Sequence, residues 1–210
     1  MIAHVIDDLF DMPLLAELEK VILDKVPVYS TNVANQISFP VGYNGGSHRL
    51  FGADIFSKSG LNRVESLHPE AGIFFNMFDI IEHEVFNCPI MLWRIDVNLQ
   101  FMDQHGSPHT DGDGTEEDVT VMLFNNTKWK KEWGGQFQML DETEQNVIEE
   151  HEYIPGRLII FPGGIPHRGL APVIPYMYRY STVFRCKIDG GIDSFINSYY
   201  NKSWNKVNQD

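Results

Sequence analysis

His109-Thr110-Asp111, followed at a distance by His167 and Arg179, brings together the residue types for metal chemistry. Two imidazoles and one carboxylate can occupy one face of an octahedral Fe(II) and leave the opposite face open for substrate and oxygen. His109 and Asp111 are separated by one residue, so on an extended strand both side chains project to the same side and can grip one ion. His167 then comes from a distant strand, and the ion ties the sheet together. A His-x-Asp tripeptide alone is commonplace and usually marks a solvated turn, so the reading rests on what surrounds it.

Three segments supply that context. Trp133-Gly134-Gly135-Gln136-Phe137-Gln138-Met139 has two glycines leading into alternating residues, as expected where a strand begins close to another backbone or a ligand. Pro155-Gly156-Arg157-Leu158-Ile159-Ile160-Phe161-Pro162 reads as a turn, a buried apolar strand and a stop, with His167 just beyond. Arg179-Tyr180-Ser181-Thr182-Val183-Phe184 is a β-branched and aromatic strand with one cation at its start. A lone Arg is ordinarily a surface residue, yet twelve residues after His167 it can face the same cavity, where a guanidinium fork pairs two oxygens of a carboxylate.

With these residues in order, the chain resembles the Fe(II)/2-oxoglutarate-dependent dioxygenases, and within them the prolyl 4-hydroxylase-like branch, including copies carried by bacteriophages. The resemblance spans roughly residues 90–186 through Asn98, His109-Thr110-Asp111, the strand Val119 to Asn125, Trp129, Gly134-Gly135, Phe161-Pro162, His167 and Arg179-Tyr180-Ser181. It implies that His109, Asp111 and His167 bind Fe(II), that Arg179 and Ser181 bind the distal carboxylate of 2-oxoglutarate, and that Asn98 contacts the co-substrate. It further implies O2 as oxidant, ascorbate as reductant and a double-stranded β-helix, or jelly roll. Two positions depart from the branch. Gln100 stands where relatives often have Tyr, and Gly106 where many prolyl hydroxylases carry a Tyr that helps hold 2-oxoglutarate, so that Phe124 or another residue is left to fill that space.

The elements that must position these residues are legible to different degrees. Asp11-Met12-Pro13 opens a helix with an acceptor at its cap and Pro in its first turn, followed by Leu14, Leu15, Leu18, Val21 and Ile22 at helical spacing up to Pro27. Residues 69–87 form a second helix with a wide apolar face. Residues 30–60 mix Asn and Gly with Phe39, Tyr43, Phe51 and Phe56, and read either as a hairpin capping the core or as a substrate-covering loop. From Ile90 onward strands and turns dominate. The expected fold is therefore α+β, helices buttressing one sheet of a jelly roll, in a single domain 1–210: helical support and substrate-loop region 1–89, catalytic core 90–186, C-terminal helix 187–210. In the last, Phe195, Ile196, Tyr199, Tyr200 and Trp204 can form one stripe, against the sheet or toward a partner or substrate.

Composition narrows the field. A chain of 210 residues with 43% hydrophobic content is long enough for one substantial core. No apolar run approaches a membrane span, and the amino terminus lacks a basic and apolar leader, so cytosol is expected, that of the host cell if the gene is phage-borne. Cys88 and Cys186 match no Cys-x-x-Cys pair and are expected as free, packed thiols. The formal charge of −13 disfavours nucleic-acid binding and favours basic peptides. Residues 111–118 are rich in acid but lack EF-hand spacing, leaving Asp111 alone for the metal. His4, His48, His68, His83 and His151 are expected at the surface or satisfied in the core, with His105 at the rim.

The expected activity is oxidative decarboxylation of 2-oxoglutarate coupled to hydroxylation of a substrate C–H bond, with proline in a peptide or protein as the leading substrate. Another side chain, a free amino acid or a nucleobase is the rival within enzymes. A non-catalytic metal-binding module and a zinc hydrolase are rivals outside that class, the latter leaving Arg179 without a role.

Overall fold

The structure is a computed structural model and describes residues 2–34, 48–58, 65–112, 115–190 and 192. In chain order the elements are β1 (His4–Ile6), α1 (Met12–Lys25), β2 (Tyr29–Ala34), β3 (His48–Ser57), β4 (Ser66–Leu67), α2 (Ala71–Val85), β5 (Met91–Phe101), β6 (Asp118–Phe124), β7 (Phe137–Leu140), β8 (Val147–His151), β9 (Leu158–Pro162), β10 (His167–Gly169) and β11 (Tyr178–Lys187). Antiparallel pairing builds one large sheet in the order β1-β9-β6-β11-β5-β3-β2, with β4 against β3, and one small sheet, β10-β7-β8. Among the described residues, two antiparallel sheets backed by two α-helices make the expected double-stranded β-helix.

Side-chain alternation in the central strands explains how the sheet serves two purposes. In β6, Val119, Val121 and Leu123 join the cluster under the helices, while Met122 and Phe124 face the small sheet. In β9 the same split sends Leu158 and Ile160 one way and Ile159 and Phe161 the other. β11 divides likewise: Tyr180, Phe184 and Cys186 pack beneath the helices, and Arg179, Ser181, Val183 and Arg185 turn to the space between the sheets. A slip of one residue would exchange every buried side chain for its neighbour, so the two-sided core sets the register that carries the site.

Helix α1 starts where its chemistry says it should. Asp11 caps α1 by accepting from the Leu14 amide at 2.9 Å, Pro13 sits in the first turn, and Leu15, Leu18 and Ile22 bury one stripe. Asp11→Ala is expected to cost about 1 kcal/mol of stability, seen as a lower urea midpoint with an unchanged slope. An unchanged midpoint would mean that the first turn owes nothing to its cap. Helix α2 buries Phe74, Met77, Phe78, Ile81 and Val85, each contributing roughly 1.5–3 kcal/mol on leaving water.

Within residues 30–60, β2 pairs antiparallel with β3, and β3 pairs antiparallel with β5 from Phe51↔Leu99 to Ser57↔Arg94. Phe39 and Tyr43 lie outside the described residues, as does nearly all of the expected C-terminal helix, while β11 runs on to Lys187. Both cysteines are free, and Cys186 is buried. No described helix is long and apolar enough to cross a membrane.

Candidate metal centre and co-substrate pocket

The two histidines meet through the backbone rather than on paired strands. His109 is an isolated bridge to His167, with His109 N donating to His167 O at 3.1 Å and His167 N to His109 O at 2.9 Å. His167 opens β10, but Asp111 lies in a loop, so the expectation that His109 and Asp111 share an extended strand is corrected. The loop is fixed instead by Asp111 N donating to Gly163 O at 2.7 Å, at the end of β9. Gly112 allows the turn that follows: its φ is +73°, and a Cβ there would fall 2.4 Å from the Asp118 carboxylate.

The geometry brings all three predicted ligands together, with donor atoms within 4.8 Å of one another. Asp111 lies 3.9 Å from His109 Nε2 and 3.5 Å from His167 Nε2. Each imidazole uses its Nδ1 on a carbonyl two residues earlier, His109 on Ser107 O at 2.9 Å and His167 on Ile165 O at 2.8 Å. A proton on Nδ1 leaves the Nε2 lone pair for the shared centre, the tautomer that a metal requires. Burial works against the Asp111 charge, but His167, Arg185 and His109 outweigh it and hold the carboxyl well below its usual range. Burial and the neighbouring His167 push His109 down. Half of the His109 side chain is exposed in the open pocket, so its desolvation is that of a cavity wall. An ionised carboxylate beside two imidazoles anchored through Nδ1 is the donor set of a divalent-metal site.

These groups border a cavity of about 420 Å³, within the range of small-molecule sites. Arg179 lies in its wall and is 1% exposed, with Nε donating to Gly135 O at 2.9 Å and Nη1 to Gln100 Oε1 at 2.9 Å and Ser181 Oγ at 3.3 Å. Nη2 is buried and has no hydrogen-bond partner among the described residues. Behind the guanidinium, Cζ sits 5.2 Å from the Phe124 ring centre and 5.1 Å from that of Tyr153, the two rings stacked 4.3 Å apart. Burial lowers the Arg179 pKa to about 10, with the Tyr153 phenol pulling the other way, so it remains a cation at neutral pH. A buried cation whose close partners are amides, a hydroxyl and ring faces lacks a counter-charge among the described residues and fits an incoming carboxylate.

The positions flagged as departures explain each other. Gly106 donates to Gly169 O at 2.8 Å, and a Cβ on it would approach that oxygen to 3.0 Å. Gln100 donates to the same Gly169 O at 2.9 Å while its Oε1 receives Arg179. Gln100 thus occupies the ground beside the guanidinium, and Phe124 lies behind Arg179 rather than in the space left at Gly106. Asn98 and Ser181 are opposite each other in the β5–β11 register, and both line the cavity. His105 Nδ1 accepts from Ala171 N at 3.2 Å, and His105 is not one of the residues that line the cavity.

Sequence reasoning missed Thr120 and Arg185. Thr120 Oγ1 donates to Asp111 Oδ2 at 2.9 Å, and Arg185 Nη2 forms an ion pair with Asp111 Oδ1 at 2.7 Å. Arg185 is six residues after Arg179 on a strand, hence on the same face, which was the available signal.

Residues 97–184 match the family model described as 2OG-Fe(II) oxygenase superfamily. No curated protein matches the chain by sequence. Among solved structures, the chain is similar to a 2OG-Fe(II) oxygenase family oxidoreductase from Burkholderia pseudomallei, at 15% identity, 91% coverage of this chain, 87% of that one and a TM-score of 0.62. A Pseudomonas putida prolyl-4-hydroxylase is similar at 16% identity, 90% and 93% coverage and a TM-score of 0.52. So is the non-heme alpha ketoglutarate dependent epimerase SnoN from nogalamycin biosynthesis, at 10% identity, 88% and 78% coverage and a TM-score of 0.55. At these identities the structural likeness speaks for the fold. The stretch 97–184 that matches this family model contains His109, Asp111, His167 and Arg179.

Proposed function

We propose that this chain is an Fe(II)- and 2-oxoglutarate-dependent dioxygenase that hydroxylates a C–H bond, with proline in a peptide or protein as its substrate. The observation that carries the reading is Arg179: a buried cation with a spare Nη2 donor, in the wall of the cavity that also holds three metal-type ligands. His109, Asp111 and His167 would hold the iron, and Arg179 with Ser181 would anchor the distal carboxylate of 2-oxoglutarate, with Asn98 beside it. Bound there, Fe(II) supplies the centre at which O2 and 2-oxoglutarate react to give succinate, CO2 and one oxygen atom for the substrate C–H bond.

The chain's own contribution is positioning and exclusion. Thr120, Arg185 and the two backbone carbonyls fix the ligands before any ion arrives. Gln100, Gly135 O, Phe124 and Tyr153 fix the guanidinium. Phe137 and Phe161 line the cavity near His167, with ring centres 5.5 and 4.8 Å from its imidazole, and limit water at the reacting centre. Ascorbate serves as the reductant. The catalytic core is 90–186 of a single domain 1–210, working in the cytoplasm.

The prolyl assignment follows the branch resemblance and the acidic balance of −13, which favours a basic polypeptide over nucleic acid. Proline-rich segments bring a preformed extended helix and lose little entropy on binding. Incubation with proline-rich peptides, Fe(II), 2-oxoglutarate and ascorbate, read by mass spectrometry, is expected to show a peptide gaining one oxygen as succinate forms. Succinate without any oxidised peptide would end the prolyl assignment and point to another side chain, a free amino acid or a nucleobase. No succinate under any condition would end the oxygenase reading.

A further inference from the structure

Arg185 lines the pocket yet is closed to free anions, because carboxylates hold it on two sides. Its Nη2 pairs with Asp111 Oδ1 at 2.7 Å, and its Nε lies 3.8 Å from Asp96 Oδ2. Asp96 is itself gripped by Arg94, whose Nε donates to Asp96 Oδ1 at 2.7 Å and whose Nη2 donates to Asp54 Oδ1 at 2.8 Å. The register puts like charges opposite each other, Arg185↔Arg94 between β11 and β5 and Asp54↔Asp96 between β3 and β5. Such pairs repel. The attraction runs on the diagonals: burial pushes the Asp96 carboxyl up to about 7, Arg94 grips it directly, and Arg185 Nε feels it at 3.8 Å without a hydrogen bond. On its other side Arg185 is the cross-strand partner of Thr120, which donates to the second Asp111 oxygen at 2.9 Å.

Neighbouring residues on β6 and β11 therefore grip both oxygens of a carboxylate that is 2% exposed. We propose that Arg185 and Thr120 are positioning residues for Asp111: they hold its carboxylate in one orientation before the metal binds, and Asp96 and Arg94 hold Arg185 in turn. The proposal rests on the metal role given above to His109, Asp111 and His167. An oriented ligand loses no rotational freedom on coordination, which is how outer-sphere partners strengthen a metal site. Simple Coulomb repulsion makes the opposite demand, since a guanidinium beside a divalent ion should weaken its binding. The sign of the effect separates the two.

The test is calorimetric titration of the metal-free protein with Ni(II), alongside thermal unfolding of each metal-free variant. Arg185→Gln is expected to weaken Ni(II) binding by roughly 10- to 100-fold. Arg185→Lys should lose less, because it keeps the charge although one ammonium cannot reach both Asp111 and Asp96. Thr120→Val, near in shape and suited to a strand, should weaken binding in the same direction. A folded Arg185→Gln that binds Ni(II) as tightly as the parent or tighter overturns the proposal. If that variant fails to fold, parent-like affinity in both Arg185→Lys and Thr120→Val overturns it instead. A lower unfolding temperature with unchanged Ni(II) affinity assigns Arg185 a structural role only. Asp111→Ala, titrated in parallel, separates this inference from the reading beneath it: parent-like Ni(II) affinity there would remove the metal site itself.

Discussion

Asp111→Ala is expected to abolish succinate formation from 2-oxoglutarate and to weaken divalent-metal binding by more than the roughly 10- to 100-fold that loss of an outer-sphere partner costs. The substitution removes the one carboxylate among three ligand-type groups whose donor atoms lie within 4.8 Å of one another. Two neutral imidazoles then remain, with no anion to offset the ion's charge. The damage should stay local. His109 and His167 are tied by a reciprocal pair of backbone hydrogen bonds, and their Nδ1 atoms keep Ser107 O and Ile165 O. Neither apolar cluster includes Asp111. The variant should unfold cooperatively near the parent's temperature while showing neither metal uptake nor succinate. Retained turnover would sink the ligand assignment. Loss of cooperative unfolding would mean that the Arg185 and Thr120 contacts support the sheet as well as the ligand.

How far this site was legible in the chain depends on which interactions are local. The apolar run Leu158 to Phe161 and the strand 118–124 announce themselves because both faces are buried and turns bound them. Helix α1 is readable from Asp11, Pro13 and a 3.6-residue apolar period. Strand β8 is not, because Val147, Ile148 and Glu150 are exposed and Glu149 is half-buried, a pattern that says nothing of a core. Strand β1 is three residues long and exists by pairing with β9, a partner more than 150 positions away. The same distinction governs the site. His109, Asp111, His167 and Arg179 are visible because few other tasks call for those types at that spacing. Thr120 and Arg185 are ordinary until register sets them side by side against Asp111. Gln100 looked like a missing Tyr, and only the fold reveals it as the acceptor for Arg179.

Arg179→Lys is expected to reduce the apparent affinity for 2-oxoglutarate far more than that for the metal. The guanidinium spends Nε on Gly135 O and Nη1 on Gln100 and Ser181, leaving Nη2 as the buried donor for a carboxylate. A lysine ammonium has three donors on a flexible stem and no fork, so it cannot keep those anchors and still present a second parallel bond. Burial also penalises the lysine charge more readily than that of Arg, so part of the population would be neutral. Losing one charge-assisted hydrogen bond costs about 1.5–3 kcal/mol, roughly a 10- to 150-fold rise in the dissociation constant. Phe124 and Tyr153 would lose the flat cation between their faces and the pocket, a further loss in the same direction. Ni(II) titration without co-substrate should match the parent, because no Arg179 atom contacts a ligand side chain among the hydrogen bonds and ion pairs of the described residues. Titration of the Ni(II)-loaded protein with 2-oxoglutarate separates the two affinities. Unchanged 2-oxoglutarate binding would move the anchor to another residue.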